Sequence, residues 1–240
     1  MNSAFNAKQV PSYEFGILAI KTIGGKCPDW AVGFPPLTGT PTAEILVVRE
    51  AARDFVATLS SGAASNGKAP WRVLVVDDAL APEDFISEGD IWAISAPSRD
   101  LDIIAEAMVR LFRGELFIGI DLVDAIEVAG GRALIPHFGR GAVVEGFQGD
   151  TVRRDLENAL RSFAEIKFDD GVFIIQSISE ADEDQPDLLK KFDDLSTSLL
   201  GEPRARPTLL TSYLGASAST WIAISFKKPA SEITAMTSSK

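Results

Sequence analysis

The chain has 240 residues, of which 46% are hydrophobic and 24% charged, a balance typical of a globular protein with a buried core. The formal net charge of −11 argues against a nucleic-acid backbone or an anionic membrane as a direct partner, because both are negative. The single cysteine, Cys27, excludes a disulfide framework. We recognise neither a signal peptide nor an apolar run of about 18–20 residues, so we expect a cytoplasmic protein that does not insert into membranes.

The first third of the chain alternates short apolar runs with loops. Residues 16–24 predict a strand, and 26–42 a loop rich in glycine and proline. Residues 44–50 predict a buried strand and 51–61 a helix. The run WRVLVVDD at 71–78 predicts a second, nearly continuous apolar strand of the kind found in parallel sheets.

A long amphipathic helix is predicted at 95–114, after a loop at 82–90. Its apolar residues recur at spacings of three and four, which places them on one face, and Gly114 is a suitable end. The predicted core positions are Leu101, Ile104, Ala105, Met108, Leu111 and Phe112.

The second half of the chain has the predicted order αβαβαββ. This order indicates strands and helices on one mixed sheet, an α+β two-layer arrangement. The elements are a helix from Asp121 to about Gly130, a bent strand or hairpin at 132–146, a helix at 150–164 with Asp150 or Thr151 as N-cap, a strand at 171–178, a helix at 186–201, and strands at 208–214 and 219–226.

The stretch GIDLVDAIE, residues 119–127, carries two acids at the beginning of a predicted helix. Asp121 and Asp124 are three residues apart, so they point to nearly the same side. One interpretation is structural: Asp121 caps the helix and Asp124 interacts favourably with the helix dipole. The other interpretation is that the two carboxylates are directed at a ligand or a neighbour.

From about residue 44 to 227, the order of elements and several local strings resemble the second half of the FtsZ/tubulin family. In that family, a central helix leads into a loop with the pattern Asn-x-Asp-x-x-Asp, followed by a helix and a glycine-rich strand. In ELFIGIDLVDAIEVAGGRALIPHFGRG, Asp121 and Asp124 occupy the acidic places and Gly119 stands where the family has Asn. WRVLVVDD resembles the family's strand ending Ile-Pro-Asn-Asp, and SRDLDII resembles the start of its central helix.

The resemblance implies roles for individual residues. In the family, the two loop acids enter the nucleotide pocket of the next subunit and help to orient the water that attacks the γ-phosphate, which implies catalytic roles for Asp121 and Asp124. By the same resemblance, Asp100 lies near the position of the acid that contacts guanine. A complete GTPase of this kind would place Asp77 and Asp100 on the base, with Thr38, Gly39 and Thr40 near phosphate.

The sequence departs from the family in its phosphate-binding half. Glycine-rich turns present backbone N–H groups to phosphate, but only Thr38-Gly39-Thr40 matches the family's signature, and Pro41 removes a donor. The region before the first convincing strand is also about a hundred residues shorter than a nucleotide-binding half-domain requires. We therefore do not expect autonomous GTP hydrolysis, and whether GTP is a cofactor stays open.

These observations predict an α/β fold: a shortened tubulin/FtsZ-like nucleotide domain, a central helix and a C-terminal α+β two-layer sandwich. The predicted parts are 1–94, 95–114, 115–228 and a flexible tail at 229–240. The predicted function is to bind, cap or modulate a cytoskeletal filament, of itself or of a full-length FtsZ-like protein in cell division, through the acidic loop face. The alternatives are a divergent GTP-hydrolysing polymer protein and an unrelated α/β protein that binds a small molecule.

Other candidate residues are weaker. His137, the only histidine, has no metal-ligating residue near it in the sequence, and we predict a core or strand-edge residue and no metal site. Cys27 has no neighbour that would activate its thiol. The acidic run at 179–187 lacks the spacing of a calcium loop and predicts a solvated surface.

Overall fold

The computed structural model describes residues 19–23, 43–49, 71–84, 86, 91–113, 116, 122–129, 136–168, 170–184, 190, 192, 194 and 207–227. In these residues, eight strands form one sheet. The strands are β1 (Ala19–Ile23), β2 (Ala43–Val48), β3 (Trp71–Asp77), β4 (Ile91–Ala96), β5 (His137–Glu145), β6 (Gly171–Ser179), β7 (Thr208–Ala216) and β8 (Thr220–Phe226). The helices are α1 (Leu101–Arg113), α2 (Leu122–Val128), α3 (Asp150–Glu165) and α4 (Glu180–Glu183), with a 3₁₀ turn at Pro82–Asp84.

The strand order across the sheet is β1-β2-β3-β4-β5-β8-β6-β7. β1 to β5 are parallel, and β6 and β7 run in the same direction. β8 lies antiparallel between β5 and β6. All strands except β8 therefore begin at one edge, here called the amino edge, and end at the other, the carboxyl edge. The predicted α/β class is confirmed.

Helices cover both faces of the sheet. On one face, α1 packs against β2, β3 and β5, and α2 packs against β6 and β7. On the other face, α3 packs against β5 and β8. Alternation of side chains makes this possible, because Ile45 and Val47 join the core under α1 while Leu46 and Val48 join a core on the opposite face.

An aromatic cluster connects the three predicted parts of the chain. The ring of Trp92 in β4 lies 6.0 Å from Phe112 at the end of α1, 5.8 Å from Phe173 in β6 and 5.6 Å from Phe226 in β8. The sheet itself is continuous across the proposed boundaries, since β4 pairs with β5. The division into 1–94, 95–114 and 115–228 as separate parts stays a prediction.

Two predicted elements differ from the structure. The helix predicted at 95–114 begins only at Leu101, because Ser95 and Ala96 complete the buried strand β4. The predicted bent strand or hairpin at 132–146 is a single strand, β5, in its described residues. Gly141 lies under α1 within this strand: a Cβ there would approach Ile104 Cδ1 to 2.7 Å.

One further predicted helix agrees closely with the structure, and two others fall wholly or partly outside the described residues. α3 matches the predicted helix, but its N-cap is Gly149 rather than Asp150 or Thr151. The helix predicted at 51–61 lies outside the described residues. Of the helix predicted at 186–201, the described residues are Lys190, Phe192 and Asp194, and all three are helical.

Candidate functional site

Asp77 lies at the carboxyl edge, where β3 ends, and is 5% exposed. Its carboxylate accepts hydrogen bonds from the Ser98 hydroxyl and, at 3.1 Å, from the Ala79 N–H. The Leu80 N–H donates to the Asp77 carbonyl at 2.8 Å. Asp77 therefore fixes the turn that leaves β3 and connects it to the turn that leaves β4.

Asp100 lies beside it, directly before α1, and is 4% exposed. Its carbonyl accepts the Ile104 N–H at 3.0 Å, so Asp100 begins the helix. Its carboxylate does something different: one oxygen accepts the Val143 N–H of β5 at 3.1 Å, and the other lies 3.4 Å from Nε of Arg99. The side chain thus joins the beginning of α1 to β5.

A third acid completes this edge. Asp102, in the first turn of α1, receives the Arg49 guanidinium on both carboxylate oxygens at 3.0 and 2.9 Å, which connects α1 to the end of β2. The carboxyl edge thus holds a set of acids bonded within the chain. Asp77 and Asp100 both lie at the carboxyl edge, and their role as contacts to a guanine base stays a prediction.

Asp124 lies at the opposite, amino edge. It occupies the first turn of α2, and its side chain is exposed, as is that of Glu127. α2 packs at the beginning of β6 and β7, so Asp124 and Glu127 border a groove of about 440 Å³ together with Val128, Pro207, Thr208 and Leu209. Asp121, Thr38, Gly39 and Thr40 lie outside the described residues, so their predicted roles also stay predictions.

Gly171 determines how closely α2 approaches the sheet. It is the first residue of β6, and a Cβ built on it would lie 1.8 Å from the Val128 carbonyl oxygen. Only glycine permits this contact. The helix that carries Asp124 can therefore pack this closely against the sheet only because residue 171 has no side chain. Gly171 is visible in the sequence, but the sequence does not show that Val128 packs against it.

A buried polar cluster lies between α1 and β7. Glu106 is 8% exposed and lies 3.3 Å from the Arg110 guanidinium, which stacks 5.5 Å over the Tyr213 ring. Burial raises the pKa of Glu106, and the charge of Arg110 and its hydrogen bond oppose that shift. Burial also raises the pKa of Tyr213 strongly, and the Glu106 charge adds to the shift. Glu106 and Arg110 are four residues apart on an amphipathic helix, a spacing usual for exposed ion pairs, so the local sequence does not indicate this cluster.

The acidic run at 179–187 has a structural role that its composition did not predict. Asp182 accepts hydrogen bonds from the hydroxyls of Ser179, at 3.0 Å, and Ser219. Glu183 accepts the Gly215 N–H at 2.8 Å. These bonds fix the turn that carries the chain from β7 to β8 past the end of β6, so Asp182 and Glu183, which are not buried, have a structural role in addition to their place at the surface.

The remaining questions concern His137, metal ligands and membrane spans. His137 is 2% exposed and begins β5, in agreement with the prediction of a core residue. Within the ranges that the structure describes, no three His, Cys, Asp or Glu side chains are grouped as metal ligands. No helix in those ranges is long and apolar enough to cross a membrane.

Comparison with known proteins adds one similarity. No protein-family model and no curated protein matches the chain. Among solved structures, it is similar to CetZ2 from Haloferax volcanii, determined as a protofilament with bound GTPγS. The identity is 11%, the TM-score is 0.37, and the match covers 87% of this chain and 72% of the other. At that identity and TM-score, the similarity assigns neither a ligand nor an activity to this chain.

Proposed function

We propose that this is an FtsZ/tubulin-like protein that binds, caps or modulates a cytoplasmic filament through the face of α2 that carries Asp124. The observation that carries the proposal is the placement of Asp124, exposed on the first turn of α2 at the amino edge. Asp77 and Asp100 are buried at the opposite edge. A nine-residue strand such as β6 separates the two edges by about 27 Å.

This separation suits a head-to-tail contact. In such a contact, the amino edge of one subunit meets the carboxyl edge of the next, and the two surfaces are different, so the contact can repeat along a filament. The acids of α2 would then face a neighbour rather than a ligand of their own chain. The partner is a second copy of this chain or a full-length FtsZ-like filament.

The state of Asp77 and Asp100 favours a filament-binding role over an autonomous GTPase. Both carboxylates are buried and already accept hydrogen bonds from their own chain. A guanine base could reach them only by displacing those bonds, and a hydrogen bond to a charged group contributes about 1.5–3 kcal/mol. Asp124 differs from both in that its side chain is exposed.

Co-sedimentation with purified full-length FtsZ filaments tests the proposal. We expect the wild-type protein to pellet with filaments or to change their GTP turnover, and Asp124→Ala to reduce both effects. Asp155→Ala, which removes an acid from α3 on the other face of the sheet, is the matched control and should behave like the wild type. Absence of any effect of the wild-type protein on filament pelleting and turnover would overturn the proposal.

Calorimetry with GTP addresses the GTPase alternative. We expect no saturable heat from the isolated protein. Binding at micromolar concentration, lost in Asp100→Asn, would replace the filament-binding proposal with a nucleotide-binding function.

A further inference from the structure

The face of the sheet that α3 covers carries two cations near its amino edge. Arg140 in β5 is paired with Ser225 in β8, and Lys227 directly follows β8 on the same face as Ser225. The Lys227 N–H donates to the Phe138 carbonyl at 2.9 Å, which continues the pairing of β8 with β5. The backbone of both cations is therefore fixed by the sheet.

The ring of Phe168 contacts both cations. The guanidinium carbon of Arg140 and the ammonium nitrogen of Lys227 each lie 5.8 Å from the ring centroid. Phe168 is 5% exposed, and its N–H donates to the Phe163 carbonyl at 2.9 Å at the end of α3. The π-face of the ring attracts each cation but carries no net charge, so it brings two positive charges together without compensating them.

In the described part of the chain, neither Arg140 nor Lys227 forms an ion pair, although the whole chain has 34 acids. Ion pairs with acids are common among the other described arginines: they are formed by Arg49, Arg99, Arg110, Arg153 and Arg154. The two cations beside Phe168 thus differ from the usual pattern of this acidic protein.

Two buried polar atoms at this place also have no hydrogen-bond partner among the described residues. They are Nε of Arg140 and Oγ of Ser225, and Ser225 is 0% exposed. A guanidinium nitrogen can only donate, so it lacks an acceptor, and a serine hydroxyl can donate to an acceptor as well. A buried donor without an acceptor costs about 1–3 kcal/mol. A negatively charged oxygen atom would satisfy these donors and compensate the two cations.

We infer that Arg140, Lys227 and Ser225 form a binding site for a small oxyanion, a phosphate or a carboxylate group. Arg140 supplies a charged donor, Lys227 a second positive charge and Ser225 a hydroxyl donor. Arg140 is only partly buried and Lys227 is exposed, so the ion approaches from solvent. The site lies on the face of the sheet opposite α2, and the inference does not depend on the proposed filament-binding function.

An NMR titration of the whole protein tests the inference. Sodium phosphate and, separately, sodium acetate are added at an ionic strength held constant with sodium chloride, while backbone amide signals are followed. We expect saturable shifts at Arg140, Phe168, Ser225 and Lys227. Saturation by phosphate alone identifies a phosphate group as the guest, and saturation by both ions identifies a site that also takes carboxylates. Absence of saturable shifts with both, or equal shifts when chloride alone is raised, would overturn the inference.

Substitutions of the three residues sharpen the test. We expect Arg140→Gln to abolish the saturable shifts, because the central charge is lost. Ser225→Ala should weaken binding about tenfold, the scale of one hydrogen bond to a charged group, without destabilising the free protein. Lys227→Gln should weaken binding about threefold, as for an exposed ion pair. Arg154→Gln, an equal change in charge at the beginning of α3, is the control and should bind like the wild type.

An acid beside the site provides a test of opposite sign. Asp170 is exposed, and its N–H donates to the carbonyl of Phe226, the residue before Lys227. Its charge should oppose an anion, so we expect Asp170→Asn to bind the oxyanion about twofold more tightly. Unchanged binding in both Ser225→Ala and Lys227→Gln would overturn the inference even if Arg140→Gln fails to fold, because the shifts would then come from another place.

Discussion

The two edges of the sheet treat their acids in opposite ways. At the carboxyl edge, Asp77 and Asp100 are buried and bonded to groups of their own chain, and each connects two elements of the fold. At the amino edge, Asp124 and Glu127 are exposed and border an open groove. The resemblance to FtsZ marks Asp77, Asp100 and Asp124 alike as functional. Burial separates them, because a buried acid that connects two elements of the fold is less accessible to a ligand than an exposed one.

Gly171→Ala should destabilise the protein most, because it disrupts the close packing of α2 on β6 at the amino edge. The new Cβ would overlap the Val128 carbonyl oxygen, so α2 must move away from β6. We expect the free energy of unfolding to fall by about 3 kcal/mol, measured by urea denaturation. Gly215→Ala is the control, since its Cβ meets open space and only its positive φ of 75° resists the change, at about 1 kcal/mol. Equal losses in the two variants would show that the contact with Val128 is not the constraint.

Asp100→Ala tests the structural role assigned to the carboxyl edge. It leaves the N–H of the partly buried Val143 without its acceptor, and we expect a loss of about 2 kcal/mol in the free energy of unfolding. Asp100→Asn keeps an acceptor and should lose about half as much. If both variants unfold like the wild type, the carboxyl edge does not depend on this acid, and the contrast between the edges fails.

Glu106→Gln addresses an acid that lies between the edges and resembles neither group. The pKa of Glu106 is raised mainly by burial, so the native state disfavours its charged form. The stability contributed by this group is fully present below its unfolded-state pKa of 4.5 and is lost as pH rises through the higher native pKa. We expect the glutamine variant to gain stability relative to the wild type between pH 4 and pH 7, measured by thermal melts across that range. A difference that stays constant with pH would contradict the raised pKa.

Asp124→Ala and Glu127→Ala should have the smallest effect on stability. Both side chains are exposed, and substitutions of this kind usually change the free energy of unfolding by less than about 0.5 kcal/mol. Under the proposed function, Asp124→Ala should instead reduce filament binding. A loss of more than 1 kcal/mol in either variant would mean that the amino edge uses its acids structurally, as the carboxyl edge does.

Much of the fold follows from the sequence, and its errors have identifiable causes. The apolar runs of β2, β3 and β6 and the periodicity of α1 and α3 predict those elements, because burial on both faces or on one face determines their patterns. β4 was missed: residues 91–94 received no element, and Ser95 and Ala96 were assigned to the following helix, although Pro97 disfavours a helical conformation at Ala96 and thus indicates a boundary. The bent strand or hairpin predicted at 132–146 is a continuous strand in its described residues, and Gly139 and Gly141 are buried in it.

The candidate site was only partly predictable. Asp124 stood out because its spacing from Asp121 is local in the sequence. The groove did not, because Pro207 and Leu209 lie some eighty residues beyond α2 and approach it only through the packing of α2 on β6 and β7. The burial of Asp77 and Asp100 likewise depends on partners such as Val143, which no local pattern identifies.

The position of β8 has a consequence for how the chain is made. β8 is synthesised after β5 and β6 but lies between them in the sheet. Until it leaves the ribosome, the strands on either side of its place present unpaired backbone edges to other chains. The sheet is therefore complete only once β8 has been made, and the β5–β8 pairs that complete it span 75 to 87 residues. Unpaired strand edges of this kind are aggregation-prone, so we expect the nascent chain to be most exposed to misassembly before β8 is released.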